Sequence, residues 1–274
     1  MGIADGVGGW ADSGVDPADF AHGFCDYMAY AAYTTAEGAA IGARELMQKG
    51  YEDICGDPTV EAGGSTACVG IVRGDGGLEV ANLGDSGFIQ LRSNRIHNYS
   101  EPQTHGFNAP YQLSMISKEL QEREELYGGQ RLQDLPKDAN LTKHRLRHGD
   151  VLVFASDGVW DNLAAQDILK GVSHDMLGSG AWEYTDDDGV AVGERLKDYI
   201  KGGDATAAWG DALPTLQSVL AVGITSAAKS ASVDKYEDGP FAREVQKYYP
   251  HENWRGGKVD DICVVVAIVC EEGR

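Results

Sequence analysis

Two stretches of this sequence place a carboxylate after a short apolar run and before a glycine: IADGVGGW (residues 3–10) and VFASDGVWDN (153–162). A short apolar run bounded by a turn signal reads as a buried strand, and the glycine marks a turn or a close backbone approach. Asp5 and Asp157 are therefore expected at strand ends, where burying a charge is costly unless something compensates it. Two further aspartates fall in comparable places, Asp85 in the turn NLGDSG and Asp260 just before the apolar run ICVVVAIV. If these strand ends meet at one sheet edge, their oxygens converge, and mutual repulsion raises their pKa values unless a cation sits among them. Oxygen donors with no Cys or His at zinc spacing nearby suit the hard ions Mg²⁺ or Mn²⁺. Gly6 is expected to let its carbonyl approach an ion or its water, and Asp161, four residues past Asp157, extends the cluster on its rim. A two-metal site orients a water, lowers its pKa toward neutrality and clamps the oxygens of a phosphoryl group during in-line displacement. Phosphoester hydrolysis is the chemistry indicated; aspartates that merely close turns or cap helices are the alternative.

Holding such carboxylates in place takes a sheet framework. Asp16-Pro17 offers an N-cap followed by proline at the first helical position, with Asp19 at the positive end of the dipole. Phe20, Phe24, Tyr27, Met28 and Ala31 recur at three- and four-residue steps, so a long core-facing helix is expected, with Gly50 as its stop. From Gly64 the rhythm changes to TACVGIV (66–72), LEVANL (78–83) and GFIQLR (87–92), which read as three consecutive antiparallel strands joined by tight turns. Residues 111–131 are polar and helix-prone. DVLVFAS (150–156) is a further strand, after which Asn162 is placed to cap a helix through Ile168 and Leu169. The closing run ICVVVAIV (262–269) is apolar throughout and is expected to be covered on both faces. Residues 171–257 carry helical patterns near 193–200, 216–228 and 241–248, separated by Gly-rich and acidic stretches such as YTDDDG, whose three aspartates suit a solvated loop. We read 1–274 as a single domain with a helical insertion at about 171–257, because the last strand must return to the same sheet.

With 274 residues, 42% of them hydrophobic, the chain can bury a sizeable core. Its 43 acidic against 23 basic residues give a net charge of −20, which repels nucleic-acid phosphates and anionic lipid, so no nucleic-acid partner is expected. No stretch approaches the roughly 18 apolar residues of a membrane span, and no membrane insertion is expected. The five cysteines, Cys25, Cys55, Cys68, Cys263 and Cys270, contain no C-x-x-C pair and fall mostly in apolar segments. They read as reduced, buried small hydrophobes of an intracellular compartment. The start shows neither a secretory nor a transit pattern, and Met1 reads as a start inside a domain.

Through ADGVGGW, GGSTACVGIV, VANLGDSGFIQLR, HGDVLVFASDGVWDNL and GGKVDDICVVVAIV, in that order across nearly the whole chain, the sequence resembles the metal-dependent serine/threonine protein phosphatases of type 2C, the PPM family. The forms DGVGGW and FNAPYQLS are similar to the branch whose members work in mitochondria. The resemblance implies an α+β fold, a four-layer αββα sandwich of two mainly antiparallel sheets flanked by helices. It implies hydrolysis of phosphoserine and phosphothreonine in proteins by a metal-activated water, with a phosphoprotein as partner; a monomer is expected. Carried over residue by residue, it implies that Asp5 bridges two Mn²⁺ or Mg²⁺ ions, that the Gly6 carbonyl reaches one, and that Asp157 and Asp260 complete the first. Asp85 and Asp161 match positions that, with Asp157, hold a third, weaker ion in some members. Asp261 stands where the family usually has Asn, and Val7 where many members carry a His thought to protonate the leaving group, so that proton is expected from a metal-bound water or another group. The family's first strand pair, with an acidic residue that holds metal-bound waters and an Arg that binds substrate phosphate, would lie before Met1, so the chain reads as N-terminally truncated.

Other readings fare worse on the residues. GDSG (84–87) also matches the nucleophile motif of trypsin-like serine proteases, but here the Ser is expected in a two-residue hairpin turn of an acidic chain. His144 and His148 sit among Lys143, Arg145 and Arg147 in a polar lead-in to a strand and suit a solvated surface. Cys68 and Cys263 lie in apolar strands, where a thiolate is disfavoured. A reading of another class is a phosphatase-like scaffold that binds a phosphoprotein without turning it over. The absent first strands motivate it, and the intact aspartate set opposes it.

Overall fold

A short strand, β1 (Gly2–Ile3), leads to α1 (Pro17–Thr34), which starts where Asp16 accepts a hydrogen bond from the Ala18 amide at 3.0 Å and Pro17 takes the first helical position. After α2 (Ala43–Cys55) come β2 (Ala62–Ser65), β3 (Ala67–Val72), β4 (Gly77–Leu83), β5 (Gly87–Arg92) and β6 (Arg95–Tyr99). Then follow β7 (Thr104–Gly106), β8 (Ala109–Pro110), β9 (Leu113–Ile116), β10 (Asn140–Arg145), β11 (Val151–Ala155), α3 (Asp157–Trp160) and α4 (Ala165–Gly178). The hairpin β12 (Trp182–Tyr184) and β13 (Val190–Val192) precedes α5 (Leu196–Ile200), α6 (Leu216–Val233), α7 (Pro240–Tyr248) and β14 (Val264–Ile268). This computed structural model describes residues 1–35, 41–118, 120–122, 132–200 and 214–271. Its chain divides into two units, Met1–Gly87 with Glu101–Arg145, and Phe88–Ser100 with Leu146–Arg274.

In the first unit β1, β3, β4 and β10 form one antiparallel sheet in that order. Phe20, Phe24, Met28 and Ala31 of α1 meet Leu46, Met47 and Ile54 of α2 and Val69 and Ala81 of the sheet in one buried cluster. The period-3.6 stripe read in the sequence is thus the core face of α1. Gly50 is not its stop: α1 ends at Thr34, and Gly50 lies inside α2, where an added Cβ would meet Met28 Cγ at 2.5 Å and the Phe24 ring at 3.2 Å. The glycine marks a close helix approach. Residues 113–116, expected to be helix-prone, form β9 and pair with β2, while residues 119 and 123–131 fall outside the described residues. The lead-in to β11 is itself a strand, β10, paired along its length with β4; as an exposed edge strand it carries no apolar alternation, which is why its sequence concealed it.

The second unit has the sheet order β14, β11, β5, β6. β5 therefore does not continue the β3–β4 hairpin as expected. GDS (84–86) is a crossing from one sheet to another, turned by Gly84 at φ +99°, where a side chain would strike Thr66 and the Tyr111 carbonyl. The hairpin partner of β5 is β6, joined by Ser93 and Asn94 at φ 44° and 61°, the primed turn that suits strand twist. Val151, Val153 and Ala155 of β11, with Ile89 and Leu91 of β5, pack against Ile168, Val172 and Met176 of α4 and Leu220 and Ile224 of α6. β14 is not fully covered as expected: it is an edge strand, half-buried throughout and paired with β11. Each unit is thus a helix-backed, mainly antiparallel sheet, which is the layering that the αββα expectation requires of each half and gives the fold its α+β class.

All five cysteines are free thiols, but only Cys68 is buried; Cys25 is half-buried, and Cys55, Cys263 and Cys270 are exposed. Cys263 precedes β14, so it does not lie within an apolar strand as read. Asp186, Asp187 and Asp188 are exposed in the turn between β12 and β13, as a solvated loop requires. No helix among the described residues is long and apolar enough to cross a membrane.

Candidate metal centre

β11 delivers its chain end into a tight junction with the segment before β14. Ser156 Oγ donates to the Asp261 carbonyl at 2.9 Å and accepts from the Cys263 amide at 3.0 Å. An added Cβ on Gly158 would run into the Asp261 carbonyl, so the glycine after Asp157 permits the two segments to touch. This junction brings Asp157, the first residue of α3, to Asp260, and one turn of α3 brings Asp161 to both. One carboxylate oxygen from each lies within 4.8 Å of the others. Among the described residues this is the group of three or more acidic, His or Cys side chains close enough to share an ion.

Lys258 lies among these three. Its Nζ donates to Asp157 Oδ2 at 2.9 Å, Asp161 Oδ2 at 2.6 Å and Asp260 Oδ2 at 2.8 Å. Asn162 fixes its backbone on both sides, donating from Nδ2 to the Lys258 carbonyl at 2.8 Å and accepting the Lys258 amide on Oδ1 at 2.9 Å. The same Nδ2 donates to the Gly158 carbonyl at 2.9 Å. Asn162 is thus not a helix cap; α4 begins after Ala164, with no side-chain cap. Above the ammonium, 4.9 Å away, lies the ring of Phe241, itself edge-on to Trp254 with centroids 5.3 Å apart.

Burial pushes Asp161 up to about 6, Lys258 pulling against it and Asp157 and Asp260 adding to it. Burial disfavours the charge on Lys258, but Asp161 and Asp157 outweigh it and hold the ammonium above the ordinary lysine range. Three carboxylates against one ammonium leave the group net negative. Converging, half-buried, under-compensated carboxylate oxygens fit a hard divalent ion of the Mg²⁺ or Mn²⁺ type.

Asp5, Gly6 and Asp85 belong to the first unit. The Asp5 carbonyl accepts from the Thr66 amide and from Ser65 Oγ, both at 2.9 Å, and Thr66 Oγ1 shares a hydrogen bond with Ser86 Oγ at 2.7 Å, next to Asp85. Gly6 bridges to Ser65, and a Cβ there would collide with the Pro17 carbonyl at the start of α1, so packing demands glycine at this position. The Val7 amide donates to the Gly64 carbonyl at 2.9 Å. His144 meets Thr142 at 2.8 Å and His148 accepts from the Glu271 amide at 3.1 Å, which are surface roles as expected. Sequence reasoning missed Lys258 and the clamp by Asn162. The signal was GGKVDD, a lysine two residues before the expected ligand, and a lysine in a Gly-rich loop reads as solvated.

No family model matches the chain. It is 32% identical over 272 residues to the protein phosphatase 2C homolog 7, mitochondrial, of Saccharomyces cerevisiae, covering 98% of this chain and 69% of that one. It is 33% identical over 274 residues to the protein phosphatase PTC7 homolog fig of Drosophila willistoni, covering 98% and 72%. Among solved structures, the X-ray structure of the photosystem II phosphatase PBCP superimposes with a TM-score of 0.70 at 23% identity, covering 98% of this chain and 87% of that one, a likeness of fold.

Proposed function

Since the chain belongs to the type 2C protein phosphatase family and is a serine/threonine protein phosphatase, we propose that its hydrolysis of phosphoserine and phosphothreonine depends on Mn²⁺ or Mg²⁺ held by its strand-end aspartates. The observation that carries the proposal is the convergence of Asp157, Asp161 and Asp260 oxygens within 4.8 Å at the Asp-Gly junction. When bound, the ions supply charge compensation for the phosphoryl group and a water of lowered pKa. In this reading, which the family resemblance supports, Asp5 is the bridging ligand of the principal ions, the Gly6 carbonyl reaches one of them, and Asp157 and Asp260 are the remaining ligands. Asp161 and Asp85 serve a third, weaker ion. Asp260 reaches its position because Ser156 and Gly158 draw its segment onto β11. Val7 offers no proton, so the leaving-group oxygen takes its proton from another donor.

We also read residues 1–274 as one type 2C domain with the helical insertion at about 171–257, acting as a monomer on phosphoproteins. A mitochondrial location is supported by the name of the yeast relative. Hydrolysis of p-nitrophenyl phosphate, measured in EDTA and after adding Mn²⁺ or Mg²⁺, tests the reading: turnover should require the ion. Ion-independent turnover contradicts the metal assignment, and bound ion with no turnover on any phosphate ester favours the phosphatase-like scaffold.

A further inference from the structure

We propose that Lys258 is a resident cation of the Asp157–Asp161–Asp260 group, and that a divalent ion entering this group competes with its ammonium for the same carboxylate oxygens. The inference rests on the metal-dependent reading above. An ammonium has three N–H donors, and here three carboxylate oxygens lie 2.6–2.9 Å from Nζ, one on each aspartate. Mg²⁺ needs such oxygens at about 2.0–2.1 Å in near-octahedral array. A unit positive charge already in contact with all three opposes that arrival electrostatically and occupies lone pairs that the ion requires. The backbone of Lys258 cannot retreat, because Asn162 holds both its amide and its carbonyl. Only the flexible side chain can give way, and the Phe241 ring over the ammonium favours its present seat. Lys258 is therefore a positioning and affinity-setting residue: it partly compensates the carboxylates without the ion and lowers affinity for it.

Calorimetric titration of the full chain with MnCl₂, alongside thermal melts in EDTA, tests this. Lys258→Met keeps the apolar stem and removes the charge; its Mn²⁺ affinity should rise about tenfold or more, and its melting temperature in EDTA should fall below that of the parent. Lys258→Arg, which keeps the charge, should bind no more tightly than the parent. Asp157→Asn should lose affinity. Should the methionine variant fold only with Mn²⁺, that supports the proposal; should it fold in neither condition, Lys258→Gln carries the same comparison. Parent-like affinity and parent-like melting in EDTA for the uncharged variant, with Asp157→Asn still weakened, overturn the role of Lys258 alone. Unchanged affinity in Asp157→Asn overturns the metal site itself and the inference with it.

Discussion

Asp161 and Gly158 show how much a single position decides in this site. Asp161 is the member of the acidic group that lies one helical turn beyond the Asp157–Asp260 junction, with Lys258 at 2.6 Å. Asp161→Ala should reduce the number of Mn²⁺ ions retained per chain, counted by atomic absorption after gel filtration, while leaving the others bound; loss of every ion would mean that the division between principal and weaker sites is wrong. Gly158 contributes no side chain, yet an added methyl would press on the Asp261 carbonyl and on Ile262 at 3.2 Å. Gly158→Ala is expected to destabilise the protein by about 1–3 kcal/mol in urea melts and to weaken Mn²⁺ binding, because it pushes Asp157 and Asp260 apart. The aspartates themselves were legible from residue type and turn chemistry. Lys258 was not, because its backbone is held by Asn162, 96 positions away in the chain.

Among the elements, α1 was readable because its start is written locally: Asp16 caps, Pro17 follows, and the apolar stripe is unbroken. α2 was not, since its N-cap is Gly42, which has no side chain to signal it. β6 and β10 are exposed strands whose polar sequences follow from their positions, β6 at the end of its sheet order and β10 likewise. The GDS crossing was misread as a hairpin because a tight turn and a change of sheet use the same residues, and only the pairing of β5 with β6 tells them apart. The loop that leads toward Lys258 gives an element-level prediction. Asp238 accepts from the Gly256 amide at 2.9 Å, from Gln246 and from Arg255, and these bonds hold its carboxyl down to about 2. A depressed folded value stabilises at pH values above the unfolded one, roughly 4, and that gain is lost as pH falls toward 2. Denaturant melts of the parent and Asp238→Asn should therefore differ at pH 6 and converge as the pH is lowered through that window; a difference that grows on acidification would contradict the assignment.

For the whole molecule, the second unit depends on one buried charge that lies outside the site. Asp150, 0% exposed at the start of β11, accepts from Gln90 Nε2 and from Arg92 Nε and Nη2, each at 2.7 Å, and from the Arg147 amide at 2.8 Å. Removing the carboxylate leaves the Arg92 charge, which Asp150 holds above its usual range, partly buried without its bidentate partner. Asp150→Ala should lower stability by about 3–5 kcal/mol, read as an earlier urea midpoint with metal present. The ordered blocks that revealed the α+β fold are those that combine a buried strand with a functional turn. The exposed edges left weaker traces because water, not packing, selects most of their residues, whereas the helical patterns read near 193–200, 216–228 and 241–248 are met by α5, α6 and α7. Metal-dependent phosphatase chemistry at the strand-end aspartates is tested most directly by one assay: phosphate release from a phosphothreonine peptide as Mn²⁺ is titrated, with the parent and Asp157→Asn measured side by side. Saturable activation of the parent, and a rate lower by about a hundredfold or more in the variant, is the predicted result. Equal turnover by the two chains, or turnover by the parent that ignores the ion, would contradict it.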